Sequence, residues 1–553
     1  MEYIRRGILM LALSLALTVS AGEVVINVMP VDGDATETIR SAIEETRQSA
    51  GAHKVVIRFE PGHVYNLSRE AASKCLYHVS NTTSEEENPS PVKHIGVWLR
   101  GLSNIEIDGQ GATLLTHGEM TPWVIDDCRN IAISNLTVDA ADPSVPEMTV
   151  TDVDSLSLTA RVHATSNYEL RDGKLYWKGQ RWEFTGGIAQ IYDHETATTR
   201  RCVSPLTVAT HIEEISPGIL KFHLKRKPEV RIGQTYQMRH SLRTEVAGLI
   251  VGSDNVKLSN LNLHFMGNFG IVAQNASNLT YHNIMCAPDS LSGRTCAGFA
   301  DFIQISGCCG KVDISGCRFN GSQDDPINIH GTHLKVTDWG DGSRVVVKYM
   351  HPQTFGFQSF FKGDSIEIVN PDNLLPVADA IVVGASMIDE RNIELLLDRR
   401  LSPDVCVMSA AVVENISRTP EVRIADCSFS ATPTRAILVS TRRKVLIENN
   451  LFERIPMASI LIADDGKSWY ESGRVTDVTI RNNRFVDCSV PVIKIAPEIS
   501  EYAGPVHRNI KIEDNVFEFS DPPVGDLIYV RASEDVRVKD NTVTPDQSSR
   551  DEQ

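Results

Sequence analysis

One eight-residue hydrophobic pattern returns along most of this chain: apolar, polar, apolar, polar, then Asn, Asp or Gly, two variable residues and an apolar one. Copies begin at Ile131, Val256, Leu279 and Val312, with the fifth place held by Asn135, Asn260, Asn283 and Gly316. The series resumes at Val422, Val445, Val478, Ile510 and Val536, with Asp426, Asn449, Asn482, Asp514 and Asp540 in that place. Alternation with period 2 predicts a strand, and the Asn, Asp or Gly that closes it tolerates a left-handed backbone. The next apolar residue then turns back inside.

A second strand follows in each unit, as in Gly270–Gln274, Phe302–Ile305, Pro326–His330, Ala436–Val439, Ser459–Ala463 and Val492–Ile495. Starts lie 23 residues apart from Val256 to Leu279 and again from Val422 to Val445. That is one coil of a solenoid, and coils stacked at the strand spacing of about 4.8 Å make an all-β, right-handed parallel β-helix. Propeller blades need about 40 residues each, and leucine-rich repeats would show a Leu ladder that is absent. Asp34–Ser49, with Ile39, Ile43 and Arg47 at helical spacing, is expected to cap the first coil, whose strand is Lys54–Phe59.

Two stretches, 140–243 and 334–418, alternate as strands without the octapeptide and read as inserted small β domains. They divide the solenoid into 22–139, 244–333 and 419–545, with a polar tail at 546–553. Residues 1–21 carry Arg5-Arg6, an apolar run from Gly7 to Val19 and small residues at Val19 and Ala21, the layout of a signal peptide. The expected product is exported, periplasmic or secreted, without membrane insertion.

Across 553 residues, 54 Lys and Arg stand against 71 Asp and Glu, a net charge of −17. Losing Glu2, Arg5 and Arg6 with the leader brings it to −18. Such a surface repels nucleic acid and anionic lipid. Eleven cysteines leave at least one unpaired. Cys286 and Cys317 occupy repeat places that suit buried small hydrophobes, and Cys286 with Cys296 is the pair to check for a bridge. Cys308-Cys309 lacks zinc-site spacing and no His joins it, so a metal site is not expected.

Aligning second strands by their inward Ile residues sets Asp301, before Phe302, opposite Asp325, before Pro326, with Asp324 beside it. Three carboxylates on adjacent coils crowd one patch, which raises at least one pKa as a general acid requires. For the acids to leave the inward phase of Ile303 and Ile327, the chain must bend before Phe302 and Pro326, and Pro326 favours such a bend. Gln304, Asn328 and His330 lie on the outward phase beside them, and Asn268 one coil back; all four can hold sugar hydroxyls. Against this stands the reading of Asp-Asp-Pro as a solvated turn and of the four polar residues as a side-chain ladder.

The run Ser322–His333 (SQDDPINIHGTH), with Phe265–Gly270 (FMGNFG) and Ala300-Asp301-Phe302, resembles glycoside hydrolase family 110, bacterial exo-acting α-1,3-galactosidases that include blood group B-cleaving enzymes. The resemblance spans nearly the whole chain and implies that the two inserts are β-barrels. It further implies an inverting mechanism without metal or cofactor, with Asp301 as general acid and Asp324 and Asp325 activating the water. The expected substrate is an oligosaccharide or glycoconjugate ending in α-1,3-linked galactose, fucose-branched, linear or both.

Two other classes compete. A polygalacturonase-like β-helix hydrolase also clusters Asp but calls for a basic groove, which the mature charge of −18 argues against; the local basic cluster Arg442-Arg443-Lys444 reads as a solvated coil edge. A non-catalytic adhesin or tailspike-like protein would need no reactive carboxylates. Trp339, Phe355, Phe357 and Trp469 are expected to pack in cores rather than stack on sugar. The inserts offer surfaces for a homodimer without any feature that demands one.

Overall fold

A computed structural model describes residues 17–20, 23–49, 54–82, 84, 86, 90–240 and 242–545. Most of the leader and the tail at 546–553 lie outside the described residues; Leu17–Ser20 form a strand paired antiparallel with Glu23–Val28. The solenoid is continuous. One row of inward residues runs Val24, Val55, Ile105, Ile131, Val256, Leu279, Val312, Val422, Val445, Val478, Ile510, Val536, each paired in parallel with the next. Ile131 pairs with Val256, and Val312 with Val422, as if nothing intervened, so each insert leaves and re-enters the same coil edge.

Every fifth place of the octapeptide does take a left-handed backbone, with φ of 57° at Asn135, 54° at Asn260, 63° at Gly316, 58° at Asn449 and 54° at Asn482. The residue after it points inside, but its chemistry changes along the solenoid. Leu136, Leu261, Ile284, Cys317 and Cys427 are buried there in the earlier coils, and Asn450, Asn483 and Asn515 in the later ones. Each Asn donates through Nδ2 to a backbone carbonyl of the coil before it, Ile424, Ile447 and Ile480 in turn, at 2.9–3.0 Å. A buried amide so satisfied carries no desolvation debt. Beside this ladder Phe319, Phe429, Phe452, Phe485 and Phe517 stack with centroids 4.7–5.0 Å apart. Cys286 and Cys317 are buried as expected, and Cys286 and Cys296 remain free thiols.

The helix Thr36–Ser49 buries Ile39, Ala42 and Ile43 against the first coil, and Asp34 accepts from the Thr36 N–H at 2.9 Å to start it. The strand Glu23–Val28, which had no octapeptide to reveal it, precedes and pairs with Lys54–Phe59.

The inserts differ in build. The first is a seven-stranded antiparallel sheet between Glu147 and Arg239, with a separate three-stranded sheet, Asn167–Phe184, whose Trp177, Trp182 and Phe184 join its apolar core. The second closes into a six-stranded barrel from Leu334 to Asn415 around Val345, Val347, Ile366, Ile368, Ile393 and Leu395.

Candidate active site

The second-strand sheet carries the site. Ile303 pairs with Ile327 and Ile327 with Ile437, so two residues back Asp301, Asp325 and Arg435 form one column across three coils. The backbone bends at Phe302 and at Pro326. Phe302 and Ile303 consequently both enter the core although they are neighbours, and the carboxylates before the bend are released from the inward phase. Gly270 is needed beneath this bend: a Cβ there would lie 2.2 Å from the Phe302 carbonyl oxygen and 2.3 Å from that of Asp301.

The three aspartates line one cavity of about 140 Å³ together with Asn81, Arg243, Asn328, Arg435, Asp464, Asp465, Trp469, Glu471 and Glu498. Asp301 and Asp325 are 6% and 3% exposed, deep in it. Asp324 stands nearer the mouth, its side chain 22% exposed, with Arg243 at 3.4 Å and Arg201 at 3.6 Å. Burial, and then the charges of Asp324 and Asp325, push the Asp301 carboxyl well above the usual carboxylate range, against the opposing pull of Arg243. Burial raises Asp325 as well, even though Arg435 holds it from two sides. The Arg435 N–H and Nε both donate to its Oδ1 at 3.1 Å, and Nη2 lies 3.0 Å from Oδ2.

Of the four polar candidates only Asn328 lines the cavity. Its Nδ2 reaches Asp301 Oδ2 at 3.5 Å and Glu471 Oε1 at 3.4 Å. Gln304 and His330 are buried one layer behind, 3.2 Å apart, and His330 Nε2 lies 3.4 Å from Glu471. They orient the wall rather than face a ligand, because the segment around Ser80 covers this outward face of the solenoid; Gln304 Nε2 donates to Ser80 Oγ at 3.3 Å. Asn268 sits elsewhere: its amide donates to Glu119 at 2.7 Å and it does not line the cavity.

Three features were hidden in the sequence. Arg435 follows Asp325 by 110 residues, a one-coil offset lengthened by the second insert. Glu471, which accepts from Asn81 and Asn328 at 3.4 Å, belongs to a two-residue strand, Glu471–Ser472, that pairs antiparallel with Gly331-Thr332 and has no repeat signature. Arg442 is no solvated edge; its side chain is 10% exposed and ion-paired with Glu414 and Glu367, both from the second insert. Of the four aromatic candidates, Trp339, Phe355 and Phe357 belong to the second insert's core. Trp469 departs from that expectation: it is 47% exposed and lines the cavity.

The first insert reaches the site through Gln323, immediately before the Asp pair. Gln190 Nε2 donates to the Gln323 carbonyl at 3.1 Å, Arg239 Nε to its Oε1 at 2.9 Å, and Gln323 Nε2 to Gln237 at 3.3 Å. All four side chains are buried. Such a clamp fixes where the Asp324-Asp325 turn sits.

Family models match residues 146–235 as GLAA-B β-barrel domain I, 344–407 as GLAA-B β-barrel domain II and 410–549 as a right-handed β-helix region. A protein of Bacteroides thetaiotaomicron named α-1,3-galactosidase A is 46% identical over 91% of this chain and 88% of its own. One of Akkermansia muciniphila with the same name is 34% identical over 89% and 81%. The family 28 exopolygalacturonase of Yersinia enterocolitica aligns over 94% of this chain and 77% of its own, at 12% identity and a TM-score of 0.35. Since the first relationship runs through the solenoid and both inserts at 46% identity, the chain belongs to the α-1,3-galactosidases of glycoside hydrolase family 110.

Proposed function

We propose that this protein is an exported, exo-acting, inverting α-1,3-galactosidase that removes terminal galactose from fucose-branched blood group B-type glycans, linear Galα1-3Gal ends, or both. The observation that carries the reading is the size and lining of the carboxylate site: Asp301, Asp324 and Asp325 line one cavity of about 140 Å³ together with Asn81, Asn328, Trp469 and Glu471. A cavity of that size takes one terminal ring and leaves the rest of the glycan outside. The names of the relatives supply the linkage.

The depth of the carboxylates favours a different division of labour from the one the family resemblance implied. With the galactose ring at the bottom, the bond to be cut points toward the mouth, where Asp324 is the most exposed of the three. Asp324 is then placed to protonate the departing oxygen. The deep pair, Asp301 and Asp325, have backbones about one strand spacing apart, ~4.8 Å, so both carboxyls face one region of the cavity and can hold a water there for attack on the far face. Burial raises both carboxyls, and Arg435 favours the ionised form of Asp325, which is then the base. An acid and a base on opposite faces give β-galactose first. A uronate substrate is disfavoured, because seven carboxylates line the cavity and Arg243 and Arg435 are engaged with Asp324 and Asp325.

NMR of the anomer released from Galα1-3Gal and from the B trisaccharide tests the reading; no galactose from either sinks it, and α-galactose first sinks inversion. For the roles, Asp324→Ala is expected to keep turnover of α-galactosyl fluoride, whose leaving group needs no proton, and to lose at least a thousandfold on the disaccharide. Asp301→Ala should lose both. The opposite pattern returns the acid to Asp301.

A further inference from the structure

Among the described residues, Trp469 is the one large aromatic side chain that reaches the cavity and stays about half exposed. An exposed indole costs apolar surface in water. Two supports hold it there. The ring stacks on His351 of the second insert, centroids 4.5 Å apart and planes 25° from parallel. Its backbone lies in a turn capped by Asp465, whose carboxylate accepts from the N–H groups of Lys467 (2.8 Å), Ser468 (2.9 Å), Trp469 and Tyr470 (3.3 Å). The ring is therefore held in place on one face and open on the other. His351 is itself fixed, its carbonyl accepting from Arg391 at 2.7 Å.

Building on the reading above, we infer that the open face of Trp469 is the stacking platform for the sugar on the leaving side of the scissile bond, and that His351 sets its tilt. The placement argues for the leaving sugar rather than the cleaved galactose. The galactose lies among the deep carboxylates Asp301 and Asp325, whereas Trp469 shares the cavity's exposed rim with Asp324. A rigid aromatic with a polar backing suits the apolar C–H face of a neutral pyranose. This makes the second insert a determinant of which glycans are accepted, without any part in bond cleavage.

The test compares two substrates that differ only on the leaving side, Galα1-3Gal and α-galactosyl fluoride. In Trp469→Ala, kcat/KM for the disaccharide is expected to fall about tenfold while that for the fluoride stays within twofold of wild type. Trp469→Phe should recover most of the loss, and His351→Ala should reproduce part of it with the same selectivity. Equal losses on both substrates, or no loss on either, overturn the inference even if the protein is a galactosidase. A wild type that releases galactose from neither substrate overturns the proposed function itself, and this inference with it.

Discussion

The two inserts interrupt the same solenoid, yet they bury charge against it in opposite ways. The sheet of the first, between Glu147 and Arg239, buries single charges with neutral partners. Glu147 accepts from the Thr295 N–H and hydroxyl and the Cys296 N–H, at 2.5–3.2 Å, and burial drives its carboxyl up to about 7 despite those bonds. Arg239 donates to Gln323 and lies over the Phe299 ring at 4.7 Å; burial brings its guanidinium down to about 9. The second insert buries charges in pairs. Burial alone would raise Glu414, but Arg442 outweighs it and holds the carboxyl below its ordinary value. Arg474 adds a further contact to Glu367 at 3.4 Å. A buried charge without a counter-ion moves toward its neutral form, and one with a counter-ion is locked in its charged form. The first interface is accordingly set for geometry around Gln323 and the second for attachment.

The largest effect should come from breaking that attachment. Arg442→Met leaves Glu414 and Glu367 buried without their main counter-ion, and a loss of about 3–5 kcal/mol in urea unfolding is expected. Adding Glu414→Gln and Glu367→Gln should recover most of it. Arg239→Met, which removes hydrogen bonds only to neutral groups, Gln323 Oε1 and the His240 carbonyl, should cost less than half as much. Equal losses for Arg442→Met and Arg239→Met would dissolve the comparison.

Next in size is a pH effect of opposite sign at the two interfaces. The folded pKa of Glu147 is raised, from 4.5 to about 7, so its contribution is full below pH 4.5 and is lost as pH rises through 7. That displacement corresponds to about 3 kcal/mol. Glu414 is lowered, so its contribution is present above its unfolded value and is lost only as pH falls into the acid range. Urea unfolding at pH 5 and pH 8 should show Glu147→Gln losing more stability at pH 5 than at pH 8, with the variant's profile flatter than wild type. Asp464, also raised by burial to about 7, keeps a residual slope in both proteins. A Glu147→Gln profile parallel to wild type would refute the assignment.

What could be read from the sequence follows the same division. The solenoid was legible because its signal repeats, and the Asp301–Asp325 column was legible because 24 residues is one coil. Arg435 continues that column but is displaced by an insert, so its offset carried no periodic signal. Arg442 resembled a solvated edge because its partners Glu414 and Glu367 are far away in sequence and lie in the insert. Gln304 and His330 fell on the outward phase as expected, but the segment around Ser80, which has no repeat, covers that face and turns them into supports. Periodicity locates what the coils contribute; it is silent about anything the loops and inserts lay over them.

A smaller effect, on rate rather than stability, is expected from the first insert's clamp. Gln323→Ala removes the side chain that Arg239 and Gln237 hold, and the Asp324-Asp325 turn gains freedom. A misplacement of this kind is expected to lower kcat by about ten- to a hundredfold with KM near wild type. Gln323→Glu should restore much of the rate by keeping an acceptor for Arg239. A variant with unchanged kcat would make the clamp purely structural.

The smallest effect tests how far the second insert's ionic grip extends. At its rim Lys467 pairs with Asp372 and donates to Ser500 at 2.8 Å, but Lys467 and Asp372 are 45% and 47% exposed, unlike Arg442 and Glu414. Exposed pairs are screened by water and salt and contribute little. Lys467→Met should therefore leave the urea midpoint close to that of wild type. Because the turn that carries Trp469 is capped by Asp465 rather than by this lysine, hydrolysis of Galα1-3Gal should stay within twofold of wild type. A loss comparable to that of Arg442→Met would place the insert's attachment at its rim, and the contrast between paired buried charge and screened surface charge would not hold for this interface.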